Sequence, residues 1–225
     1  MADYFPTRLF GFASKEVDIE RQTISGGTAL SGEVDTVSTD GGGRVFAEFG
    51  DGNIVDRDSV LAWRALTGIL EEGVTAVVVP FGDPRHQPGQ PTPAYSLHSD
   101  GTPFDDATLY ESVDGVAGTC EAATLRATQL TFSADLAGRP LRGGEWFSIE
   151  HPAKGWRAYK VIRVPAQDDD GATIQFRPPL REAVTTGQVL DMTNPRCLMV
   201  ADGRPGSKIS YARHMETAIR FVEAP

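Results

Sequence analysis

Clusters of basic residues are missing from this sequence, and with them the usual means of gripping a phosphate backbone. Its 225 residues carry 21 Lys and Arg against 31 Asp and Glu, a formal charge of −10, and no local run of cations compensates. Duplex binding needs a clustered basic face, so it is not expected. Cysteine is scarce too. Cys120 and Cys197 lie far apart without metal-ligand spacing, which predicts two buried free thiols, with a disulfide as the minor alternative. No apolar run reaches the length that spans a bilayer, so no membrane insertion is expected. The longest run, Val74 to Val79, suits a buried strand. The opening Met-Ala-Asp-Tyr-Phe-Pro has no basic region followed by an apolar stretch, which predicts a chain without a secretory signal.

Signatures of catalysis are equally sparse. His86, His98, His151 and His214 stand singly, outside any helical His pair or Cys/His knuckle, and each is expected to be exposed or hydrogen-bonded. No Gly-x-Ser-x-Gly elbow supports a hydrolase serine. Paired carboxylates would suit a glycosidase, but 31 acidic residues supply such pairs by chance. Asp51, Asn53, Asp56 and Asp58 alternate as in oxygen-rich calcium loops, yet the closing Glu is absent and turn residues plus a helix cap explain them. Asp40-Gly41-Gly42-Gly43 leads into a strand and not a helix, which argues against a phosphate-cradling loop. Tyr95, Tyr110 and Trp156 are too scattered to form a sugar-stacking platform. No catalytic, cofactor-binding or metal-ligating residue is assigned, no cofactor is expected, and the chain is read as no enzyme.

What is present is β-structure. The 24 glycines and 15 prolines fit many short strands joined by turns. The stretch 141–192 reads as an antiparallel meander: Trp146-Phe147-Ser148-Ile149, then Tyr159 to Val164, then Ala172 to Phe176. Its turns are His151-Pro152-Ala153-Lys154-Gly155 and Gln167-Asp168-Asp169-Asp170-Gly171. Alternation places Ile174 and Phe176 on one face and Thr173, Gln175 and Arg177 on the other. Arg177, Arg181 and Glu182 read as a polar rim, where Pro178 and Pro179 stop the ladder.

Earlier in the chain, Tyr4-Phe5-Pro6 and Leu9 to Phe12 form an extended segment, followed by charged, weakly patterned residues. Residues 32–38 and 44–49 are expected to pair as a hairpin around the glycines 41–43. Gly50-Asp51-Gly52-Asn53 reads as a second turn. A helix over 59–72 is predicted from Val60, Trp63, Leu66, Ile69 and Leu70, capped by Asp58 or Ser59 and stopped by Gly73; Trp63 belongs to the core. A strand at 74–81 follows. The Pro-rich stretch after Arg85 favours extended chain and marks a boundary. The expected organisation is therefore a first domain over 1–83, a linker or arm over 84–103, and a β-rich peripheral domain over 104–225. In the latter, 123–134 alternates, 196–200 forms a strand, and 209–222 closes the fold.

The order of elements, with Tyr4-Phe5-Pro6, Ser31-Gly32-Glu33, Gly43-Arg44-Val45-Phe46, the helix 59–72 and Val79 to Asp83, resembles the beginning of distal tail proteins. These belong to long non-contractile phage tails and the related gene transfer agents. Leu141 to Ile149, Tyr159-Lys160-Val161 and Phe176 to Arg181 are similar to segments of phage tail-tip proteins. The resemblance implies a mainly β fold: an N-terminal tail-tube-like β-barrel or sandwich with one flanking α-helix, plus a C-terminal antiparallel β-barrel or sandwich domain. It also implies a structural virion protein at the tail tip, made in the host cytoplasm. Such a protein is a homo-oligomer, a hexameric ring, whose partners are the tail tube protein and the baseplate hub protein. DNA passes through without specific binding, and a host surface glycan is a further implied contact. The alternatives are another tail ring (tube or terminator) or a carbohydrate-binding adhesin module, with a polysaccharide hydrolase behind both.

Overall fold

In the computed structural model, residues 3–21, 23–28, 30–38, 41–82, 94–96, 110–112, 116–210 and 214–225 are described. The strands, in chain order, are β1 (Ser14–Glu20), β2 (Thr23–Thr28), β3 (Val34–Ser38), β4 (Arg44–Ile54), β5 (Val77–Pro80), β6 (Ala94–Ser96), β7 (Tyr110–Ser112) and β8 (Ala117–Cys120). They continue with β9 (Gln129–Ser133), β10 (Trp146–His151), β11 (Gly155–Gln167), β12 (Gly171–Arg177), β13 (Val189–Asp191), β14 (Arg196–Ala201), β15 (Gly206–Ser210) and β16 (His214–Glu223). One α-helix, α1 (Arg57–Leu70), separates β4 from β5. The fold is mainly β, as expected.

Two bodies take most of the strands, and β2–β3 and β6–β7 are two-stranded sheets apart from them. The first is a six-stranded antiparallel sheet in the order β1-β4-β16-β14-β5, with β15 added to β16. Its inner face buries Val45, Ala47 and Phe49 of β4 with Met215, Ile219 and Phe221 of β16. The opening segment straps across that core. The Phe5 N–H donates to the Val78 carbonyl at 2.9 Å. Phe5 then meets Phe221 edge-on at 4.7 Å, and Phe10 meets Trp63 at 4.9 Å. Trp63 is wholly buried, as its place on the apolar stripe predicts.

The second body is a closed barrel, β10-β11-β12-β9-β8-β13. The meander β10-β11-β12 makes half its wall, and Ile174 and Phe176 point inward as their alternation requires. Inside it Phe147 stacks on Tyr159 and both meet Phe176 edge-on, at 5.3–5.4 Å between ring centres. Cys120 lies in this core and Cys197 in the other, both buried and free, as expected.

Several sequence expectations change. Residues 104–225 do not form one peripheral unit, because β14, β15 and β16 belong to the first sheet. The barrel is thus an insertion between β5 and β14. These two strands pair directly, Pro80 opposite Arg196. Strand pairing across so long a separation leaves no local pattern in the sequence. The expected 32–38/44–49 hairpin is not a ladder: β3 pairs with β2, and β4 pairs with β1 and β16. Gly50 to Asn53 is not a turn but part of β4. There the buried phase switches from 45, 47 and 49 to 52 and 54, the mark of a β-bulge, with Asp51 at φ 52°.

The helix is capped two residues before Asp58, by Asp56, whose side chain accepts from the Ser59 N–H at 2.7 Å. That hydrogen bond holds the Asp56 carboxyl below its usual pKa. The helix ends at Glu71 in the left-handed region and not at Gly73. Gly73 has another task, since a Cβ there would meet the Ala201 carbonyl oxygen at 2.5 Å. Val74 is exposed and the strand begins at Val77. Leu125 is exposed, so the alternation from Ala123 yields a strand only at β9. The Pro-rich boundary at 84–93 lies outside the described residues.

Candidate functional site

Where barrel and sheet meet, alternation along β16 carries a charged residue into the core phase. Met215, Thr217, Ile219, Phe221 and Glu223 all point inward, so Glu223 is buried where a hydrophobe would be expected. Two arginines from the barrel meet it. Arg181 Nε and Nη2 each donate to a Glu223 oxygen at 2.8 Å, and Arg157 Nη1 lies 3.4 Å from Oε1. Glu223 also accepts from the Val45 N–H at 3.2 Å. Burial works against the Arg181 charge, but the hydrogen bond and charge of Glu223 outweigh it and raise its pKa. Arg181 further donates to the Gly43 carbonyl, and Arg157 to the Lys154 and Ala224 carbonyls. Arg157 Nε, Nη1 and Nη2 and Arg181 Nε and Nη2 all donate to protein acceptors, which suits a structural bolt.

The same junction holds His151. The Tyr159 hydroxyl accepts from the Arg181 N–H at 3.2 Å and shares a hydrogen bond with His151 Nε2, 2.8 Å away. Burial pushes the His151 pKa down to about 4 and the Tyr159 phenol up. A neutral histidine locked by a tyrosine is poorly placed for proton transfer with solvent.

The polar-rim reading of Arg181 and Glu182 is therefore corrected. Arg181 is part of the bolt. Glu182 accepts from the Ala153 and Lys154 N–H groups at 3.1 Å, tying down the β10–β11 turn. Arg177 does end the ladder of β12 and pairs with Lys160 of β11. Sequence had one usable signal for this cluster: an acidic residue in phase with Phe221 and Ile219.

The remaining sequence candidates do not converge. His214 lies 3.6 Å from Glu216, while His86 and His98 are outside the described residues. Trp156 carries the Arg196 guanidinium over its ring at 4.1 Å, so that face is not open to a sugar. No group of three or more His, Cys, Asp or Glu among the described residues is arranged to hold a metal ion. No helix among them is long and apolar enough to cross a membrane.

Two surface features remain, and both concern strand edges. At one end of the sheet four strands run β1-β4-β16-β15, with no partner among the described residues on the outer edge of β1 or of β15. The two edges are staggered: β1 pairs with residues 44–50 of β4, whereas β15 pairs with the first half of β16, which lies beside 52–54. Paired residues share a face. The outer face thus bears Glu16, Asp18, Glu20, Glu48 and Glu216 against Arg44, Lys208 and Arg220. Arg220 is held by Glu20 at 3.2 Å and Asp202 at 3.3 Å.

The second feature is the hairpin β2–β3, a sheet of two strands by itself. Every residue of β2 is exposed, and Ile24 faces Val37 across the ladder with both about three-fifths exposed. A two-stranded ribbon of this kind is marginal in isolation and wants a surface to lie on. No protein-family model matches the chain, and no curated protein matches it.

Proposed function

We propose that this chain is a structural subunit of a phage-like tail: the hexameric distal tail ring that joins the tail tube to the baseplate hub and forms part of the DNA channel. The observation that carries this reading is the sheet β1-β4-β16-β15, whose two outer edges have no partner among the described residues. Unpaired edges invite pairing with another chain. Joining β15 of one subunit to β1 of the next is a head-to-tail contact, and such contacts close into rings when the rotation permits. The stagger between the edges supplies the shear that a closed barrel needs.

The chemistry of the outer face supports the same reading. The strands bring five carboxylates against three cations to this face, and with Lys160 of β11 paired to Asp18 at 3.0 Å it keeps a small acidic excess; like charge keeps a passing polyanion from adhering. The inserted barrel favours the distal position over a plain tube subunit, because it adds a second body able to dock on the hub. The buried bolt at Glu223 would hold that body in a fixed attitude to the ring.

Electron microscopy and sedimentation of the purified chain test the proposal. Rings of six copies that stack on tail tubes are expected. A chain that stays monomeric at every concentration, and fails to join tubes in reconstitution, overturns it.

A further inference from the structure

Helix α1 buries Ser59, Trp63 and Leu70 but leaves a second apolar strip uncovered. Leu61 and Ile69 are about half exposed, and between them lie exposed Ala65 and Gly68. A Cβ at Gly68 would meet nothing within 4 Å, so no contact inside the chain calls for glycine there. A mid-helix glycine costs about 1 kcal/mol relative to alanine. Arg57 and Arg64 flank the strip, and neither makes an ion pair among the described residues. In a chain of charge −10, an apolar strip edged by two unpaired arginines is an unusual surface.

The hairpin arm β2–β3 is its counterpart. Ile24 and Val37 form an exposed apolar pair, Leu30 at the tip is fully exposed, and Val34 is about half exposed. Between 23 and 38 the sequence has Glu33 and Asp35 and no Lys or Arg. One surface is apolar and acidic, the other apolar and basic, and neither is covered by the described residues.

We propose that the arm β2–β3 of one copy docks on the outer strip of α1 of a second copy, Ile24 and Val37 against Leu61 and Ile69, with Glu33 facing Arg64. The contact joins two different patches, so it propagates head to tail in the same sense as edge pairing. It rests on the ring reading and adds the surface that fixes each subunit on its neighbour. The arm loses its exposed apolar area, and the glycine lets a β-ribbon approach the helix backbone closely.

Complementation tests this directly. Ile24→Asp spoils the arm and Leu61→Asp spoils the helix strip; both positions are exposed, and circular dichroism checks that each variant folds. In sedimentation, each variant alone should need a concentration at least about tenfold higher than the unmodified chain to assemble. An equimolar mixture should form a two-chain species absent from either variant alone, because one intact arm meets one intact strip. A charge exchange is independent of burial: Glu33→Arg should weaken assembly and Arg64→Glu in the same chain restore it. If either apolar variant assembles like the unmodified chain, or the mixture yields no mixed species, the docking is overturned. If the charge exchange fails to restore assembly, the Glu33–Arg64 facing is overturned. A monomeric unmodified chain would instead remove the ring reading itself, and the docking with it.

Discussion

Arg181 and Glu223 form a two-pronged ion pair, both contacts 2.8 Å, and it joins the inserted barrel to the last strand of the sheet. Glu223 is almost wholly buried, and Arg157 approaches it from a second side. Two cations facing one carboxylate in the interior is a costly arrangement if the carboxylate goes. Breaking a buried pair by removing one partner costs about 3–5 kcal/mol. Glu223→Ala is expected to lose that much in urea unfolding, and more than Arg181→Ala, which leaves Arg157 beside the carboxylate. Equal, small losses for both variants would show that the pair is not a bolt.

His151 makes stability depend on pH. Its pKa falls from 6.5 to about 4 on folding, chiefly through burial, with Glu182 and Glu223 raising it and Arg157 lowering it. The unfolded chain binds the proton first as pH drops. The stabilisation is therefore complete above pH 6.5 and is lost progressively toward pH 4. At about 1.4 kcal/mol per unit, the contribution lost is of the order of 3 kcal/mol. The stability difference between the unmodified chain and His151→Gln should shrink or change sign between pH 7.5 and pH 4.5. A difference that is the same at both pH values would sink this account.

Gly42 is where the loop before β4 presses on the barrel. Its φ is +109°, and a Cβ would fall 2.2 Å from Pro179 Cδ. Gly42→Ala should destabilise by about 1–3 kcal/mol through strain and overpacking. Gly138→Ala, at φ +70° but with open space around it, serves as the control and should cost less. Thermal melts of the two variants make the comparison.

Asp56 rather than Asp58 caps the helix. Asp56→Ala should therefore cost about 1 kcal/mol, and Asp58→Ala little. The reverse order in denaturant midpoints would contradict the observed cap.

Neither thiol should react in the native protein. Burial raises both Cys120 and Cys197 to about 12, and the thiolate is the reactive form. Titration with an aromatic disulfide at neutral pH should label neither residue until denaturant is added. Rapid labelling of either one would place it at the surface.

Local signals in the sequence carried the local structure well. The meander, its two turns, the helix and its buried Trp63 follow from alternation, turn chemistry and the 3.6-residue stripe. What failed was long-range. Nothing in residues 44–54 announces that their neighbours are 14–20 and 214–223, and a bulge at Gly50–Asp51 looks like a turn because both use the same residues. The opening aromatics read as an extended segment, yet Phe5 and Phe10 are core; only the folded sheet supplies the surface they fill. The junction was nearly invisible, since Arg157, Arg181 and Glu223 are far apart in sequence and look like ordinary surface charges one by one.

The pairing of Pro80 with Arg196 has a last consequence. Viewed along the chain, β5 and β14 are the two arms of a hairpin whose loop happens to be an entire barrel. The stalks enter and leave side by side, so a different cargo with closely spaced ends fits the same socket without moving the strands of the sheet. The glutamate under the barrel, the Gly42–Pro179 contact, the Lys160–Asp18 ion pair at 3.0 Å and the packing of Trp146 on Phe81 tie the present cargo to this host. A graft that drops them and replaces Glu223 with an apolar residue should leave the sheet intact and accept another inserted body.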